Sequence, residues 1–257
     1  MVKKLISSFA VVSVLAGAPL ATFASESSTT TRKTKIDPIH CSYRTEEVKL
    51  NLENRYSERM VRLGNAREEQ ELRIEHTHAE QNAKYTKNRA LQESRREKQR
   101  AEQDLKLQRK NLTDAQKQAL VTYRAAVDAA TKVRQSAVDS AVQTFRSVQT
   151  NALNVRRTAV DTANTARKTS VESALNTWKL RCTGTKEERE QANKAFQASV
   201  KASNTTYKAS IQSAEKQFKT TMETARATRK TAETQAKQAY ETVVKAAREV
   251  LKAAMKV

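Results

Sequence analysis

Residues 123–133 read YRAAVDAATKV, and four further blocks follow in phase: RQSAVDSAVQT (134–144), FRSVQTNALNV (145–155), RRTAVDTANTA (156–166) and RKTSVESALNT (167–177). Val127, Val138, Val160 and Val171 recur at multiples of eleven, with Gln149 breaking the row. Three places later stand Ala130, Ala141, Ala152, Ala163 and Ala174. Tyr123, Arg134, Phe145, Arg156 and Arg167 open the blocks, and Trp178 continues their column. Eleven residues fill three helical turns at about 3.67 per turn, so the apolar stripe runs almost straight along a long helix. This reading decides the fold class.

The same unit continues downstream. Phe196, Tyr207, Phe218, Arg229 and Tyr240 are spaced by eleven, with Val200, Ile211, Met222 and Val244 four places on, then Ala214, Ala225, Ala236 and Ala247. Upstream the chain is richer in Arg and Glu, yet Leu52, Leu63, Ile74, Tyr85 and Leu107 keep the spacing, with Arg96 between the last two. Carried past residue 110, that column becomes the polar row Gln118, Ala129, Ser140, Asn151, Thr162 and Ser173. The register therefore changes near Asn111, where Thr113 and Gln116 can cap a new helix. A continuous helix over 44–181 with a stutter is the rival reading. A second break is sharper: Gly184 suits a left-handed position closing one helix, and Thr185 to Glu188 forms a capping box for the next. The breaks predict helices over 44–110, 114–181 and 185–255. Near-equal lengths with short connections imply an all-α, elongated up-down-up three-helix rod or coiled coil with eleven-residue repeats.

Composition excludes much else. Three Gly and two Pro in 257 residues are too few for β-sandwiches, barrels or Rossmann-type folds, and no Gly-rich phosphate loop can be built. At the N-terminus, Met1-Val2-Lys3-Lys4 is a short basic region, Leu5–Leu20 is mostly apolar, and Thr22-Phe23-Ala24 offers a small-x-small site. Residues 1–24 are thus read as a signal peptide cleaved after Ala24, with an uncleaved anchor as the other reading. Residues 25–41 read as a disordered polar leader ahead of a rod over 42–257. Localisation follows: an exported protein, periplasmic, at the cell surface or extracellular.

Cys41 before the first helix and Cys182 after the second fall at the same end of such a rod, so a disulfide between them is expected. Two free thiols or an intermolecular bridge are the alternatives. Catalytic chemistry is not indicated. His76 and His78 diverge by about 200° around a helix, His76 with Glu80 supplies only two ligands, and His40 stands beside Cys41 without others. No nucleophile has a base and an orienting group, so no enzyme activity, metal, cofactor or small-molecule substrate is expected.

Charge is the remaining functional signal. Lys and Arg exceed Asp and Glu by 48 to 28, a net +20, of which the signal region holds only Lys3 and Lys4. Arg124, Arg146, Arg157, Lys168 and Lys179 form a basic column at the repeat period, each following an aromatic-or-Arg position, and Lys208 and Lys219 follow Tyr207 and Phe218. These seven are the candidate polyanion contacts, attracting anionic envelope polymer, lipid surface or extracellular DNA by counterion release without sequence specificity. The bland alternative is core-edge packing with the cation reaching outward.

Residues 195–202 (AFQASVKA) and 238–248 (QAYETVVKAAR) resemble a group of secreted helical proteins from candidate-phyla-radiation bacteria. That group shares a signal peptide, a cysteine before the first helix and Ala/Lys/Thr-rich repeats with spaced aromatics. The resemblance spans most of residues 41–250 and implies an exported bacterial helical protein with no assigned activity. The repeats also resemble late-embryogenesis-abundant and apolipoprotein-like helices, which the cysteine pair and Trp178 do not fit. The leading expectation is a structural or interaction rod at the cell envelope. A holdase chaperone is the second, since the long basic helices resemble the arms of Skp-type chaperones, although no segment could supply their β-sheet trimerisation body. A weak amphipathic binder of membrane surfaces is the third. Self-association is open too, with long hairpins completing a larger bundle.

Overall fold

The computed structural model describes residues 38–108 and 112–256. They form three antiparallel helices, α1 (Pro38–Gln108), α2 (Asp114–Arg181) and α3 (Lys186–Met255), the all-α up-down-up rod that the repeat requires. At 71, 68 and 70 residues, each helix is about 100 Å long. The signal region, its cleavage site and residues 25–37 of the leader lie outside the described residues. Within the described residues, no helix is long and apolar enough to cross a membrane.

The helix ends correct two expectations. Helix α1 starts at Pro38, six residues before the expected start at 44, so Cys41 lies inside the helix and not ahead of it. Pro38 takes the first helical position, where a missing N–H leaves no bond unmade and the ring pre-sets φ. Gly184 has no positive φ. The space a Cβ would need there is filled by the Glu188 side chain, which folds back to accept from the Thr185 N–H at 2.7 Å while Thr185 Oγ1 accepts from the Glu188 N–H. The break itself stands. At the other end Thr113 is extended, with φ −65° and ψ 158°, and shares a capping box with Gln116, so α1 and α2 are separate helices.

Helices α2 and α3 lie close together along their length. Their buried positions obey the repeat: Ala192, Ser203, Ala214, Ala225 and Ala236 on α3, and Val142, Leu153, Asn164 and Leu175 on α2, each eleven from the next. Alanine at the contact lets the backbones approach, and the larger Val, Leu and Met side chains fill the gaps beside it. Helix α1 stands further off. Only Cys41 and Thr45 of its described residues are buried, while Leu52, Leu63, Ile74, Tyr85 and Leu107 are half-buried. Cys41 and Cys182 meet as a disulfide pair with Cα atoms 6.2 Å apart, tying the start of α1 to the end of α2.

Candidate functional site

The basic column of α2 is turned toward α1. Arg124 donates to both carboxylate oxygens of Asp104, at 2.7 and 3.2 Å. Arg146 donates to Asn82 Oδ1 at 2.9 Å and to the His78 carbonyl at 3.3 Å, and Arg157 pairs with Glu71. The Nε atoms of all three arginines are buried with no hydrogen-bond partner among the described residues, which places that end of each guanidinium in the seam. Lys179 reaches Glu46 at 3.2 Å; Lys168 reaches Glu172 at 3.3 Å with its ammonium 5.2 Å from the Tyr56 ring centroid.

A second row runs the opposite way. Arg67, His78, Arg89 and Arg100, eleven apart on α1, meet Asp161, Gln149, Asp139 and Asp128 on α2. The two irregular members meet each other: His78 Nε2 lies 3.4 Å from Gln149 Oε1, which explains why Gln149 interrupts the valine row. Charge here is mutually reinforcing. Hydrogen bonds from Arg124 and Arg100 hold the carboxyls of Asp104 and Asp128 below their usual value, and bonds to Asp139 and Asp128 raise Arg89 and Arg100 above theirs. Such part-exposed pairs contribute little each, and it is their number along the seam that counts.

The column of aromatics and arginines that opens each repeat forms the α2–α3 seam, and at four successive levels, from Arg134 to Arg167, an arginine of one helix faces an aromatic of the other. Arg134 stacks over Tyr240 and Arg156 over Phe218 on α3, at 5.4 and 5.7 Å from the ring centroids. Where α2 carries Phe145, α3 supplies Arg229, at 5.6 Å. Tyr207 lies between Arg167 at 5.5 Å and Arg59 of α1 at 5.4 Å. These are cation–π pairs, whose strength grows as water is excluded. Arg167 has no carboxylate partner among the described residues, donates to Asn204 Oδ1 at 2.6 Å, and is lowered from its usual value by burial and by Arg59.

The seven expected polyanion contacts therefore divide. Arg124, Arg146, Arg157, Lys168 and Lys179 are engaged within the rod. Lys208 and Lys219 are exposed and, among the described residues, make no ion pair. Lys230 extends their column and behaves alike. It completes an unpaired basic row at about 16 Å intervals on α3. This row is the counterpart of the α2 column, since each residue follows the position opening its repeat. Lys230 follows Arg229 as Arg157 follows Arg156 and Lys168 follows Arg167, so the aromatic-or-Arg rule of α2 carried onto α3 includes it, whereas the aromatic-plus-cation pairs Tyr207-Lys208 and Phe218-Lys219 alone do not.

His76 is exposed with Nδ1 4.0 Å from Glu80. No group of three or more metal-ligating side chains occurs among the described residues. Comparison with known proteins finds no matching family model, no matching curated protein and no matching solved structure.

Proposed function

We propose that this chain is an exported basic rod that acts as a structural or interaction protein at the cell envelope and holds anionic polymers or surfaces without sequence specificity. The observation that carries the reading is the row Lys208, Lys219 and Lys230, which lies exposed while the equivalent cations of α2 are paired within the fold. Evenly spaced ammonium groups on a straight helix suit a repeating polyanion such as polyphosphate, wall phosphodiester polymer or DNA. They displace condensed counterions and read no base or sugar. Fluorescence anisotropy with labelled inorganic polyphosphate, repeated across salt concentrations, tests this. Binding should weaken steeply with salt, with a log–log slope of at least about −2, and unlabelled duplex DNA should compete. Absence of binding at low salt, or affinity indifferent to salt, overturns the proposal.

A further inference from the structure

Helix α1 touches α2 through Arg124, Asp128, Asp139, Arg146, Arg157 and Asp161, all on one side. The opposite side of the α2–α3 pair has no helix upon it among the described residues, and its make-up is unusual. From Gln118 to Leu180 on α2 and from Gln191 to Ala254 on α3, the exposed positions of that face hold only Ala, Ser, Thr, Val, Leu, Asn and Gln, with half-buried Phe145 and Arg229 at the floor of one groove between the helices. Charged residues make up 30% of the chain, so a face of this length with none at its exposed positions departs sharply from the composition. Moreover, every exposed large apolar residue of α2 and α3 except Val121 stands on it: Val133, Val155, Leu180, Val243 and Val250.

We propose that this face is a docking surface for the same face of a second copy of the chain, giving a two-fold dimer with four central helices and the two α1 helices outside. Three observations select that occupant. The face runs about 90 Å along two helices each taking about 9 Å of width, a strip of about 1,600 Å² per chain, twice the roughly 800 Å² per partner of a stable interface. Chains at +20 repel one another over the rest of their surface, and this face is where they meet without opposing charges. A contact of this face with the same face of a second copy is isologous, so it closes at two chains and leaves no further copy to add. The back of α1 is a poorer occupant. Its exposed Leu50, Val61 and Leu72 stand among charged side chains, Glu47 and the Glu58–Arg62 and Glu69–Arg73 pairs, all of which would have to lose water on docking.

Sedimentation equilibrium of the full chain at about 1–100 µM tests the proposal, with a mass near twice that of one chain expected over the upper part of the range. Thr144 and Thr224 are exposed and line one groove of this face. Thr144→Arg with Thr224→Arg should weaken association by more than about a hundredfold, because the new charges must be desolvated. The far-ultraviolet spectrum and melting temperature of the dilute chain should not change. Thr144→Val with Thr224→Val should preserve or tighten the dimer, and high salt should not dissolve it. A monomer throughout, including one that instead binds vesicles through this face, overturns the proposal. So does a dimer that survives the arginine pair, or one that salt dissolves.

Discussion

Replacing Asp128, Asp139 and Asp161 together by Asn should loosen α1 from α2 and leave the α2–α3 pair standing. Each aspartate answers an arginine of α1, and the side chains are part-exposed: 40%, 48% and 38% for the carboxylates, against 31%, 34% and 25% for Arg100, Arg89 and Arg67. Solvent screening limits each rung to about 0.5–1 kcal/mol, so the three together are worth about 1.5–3 kcal/mol. That corresponds to a roughly ten- to 150-fold change in the docking equilibrium. The loss falls on α1 because its apolar column is only half-buried, whereas α2 and α3 share the closely packed alanine seam. Amide hydrogen exchange read by mass spectrometry separates the helices. Peptides from α1 should exchange faster by about that factor, and those from α3 should keep their protection. Unchanged α1 exchange would show that the ladder does not hold the helix. Equal loss in all three helices would show that the rod opens as one unit, against the two-tier packing argued here.

Acid should act on the same seam. The carboxyls of Asp104 and Asp128 lie below their usual value of 3.8 because Arg124 and Arg100 hydrogen-bond the charged forms. Depressed groups stabilise above the unfolded value and lose that contribution as pH falls through the folded one. Exchange in α1 should therefore rise below about pH 4 while α3 stays protected; a flat profile would contradict this. Phe145→Arg places two guanidiniums face to face with Arg229 and removes a part-buried ring, so thermal stability should fall by about 2–4 kcal/mol. Adding Arg229→Phe should recover most of it, and no recovery would refute the level-by-level pairing. Cys41→Ser with Cys182→Ser opens a link across 141 residues of sequence. In the chain-entropy model this removes about 5 kcal/mol, read as a lower melting temperature that reduction of the wild type reproduces. Equal stability of the reduced and oxidised chains would contradict it.

The repeat made the helices legible because an eleven-residue period leaves a straight stripe only in an α-helix. Thr113 with Gln116 and Thr185 with Glu188 marked the breaks through capping chemistry that acts within four residues. The fate of the cations was less visible. Arg124 and Lys208 occupy the same place in the repeat, yet one faces the acids of α1 and the other faces solvent. That difference comes from which side of the α2–α3 pair α1 occupies, which no single column records. The arginine–aromatic complementarity was present in the columns, and aligning α2 against α3 antiparallel would have paired Arg134 with Tyr240 and Phe145 with Arg229. Gly184 misled for a local reason: glycine there makes room for the Glu188 cap and does not supply a left-handed turn.

The division of the basic residues into a structural row and a free row is tested most directly by comparing two triple variants in the polyphosphate titration. Lys208→Gln, Lys219→Gln and Lys230→Gln should reduce the salt slope by about 2–3 and leave melting unchanged, since three phosphate contacts are lost. Arg124→Gln, Arg146→Gln and Arg157→Gln should keep the slope and lower the stability of α1. The reverse pattern, with the arginine variant losing the salt dependence and the lysine variant keeping it, would contradict the assignment.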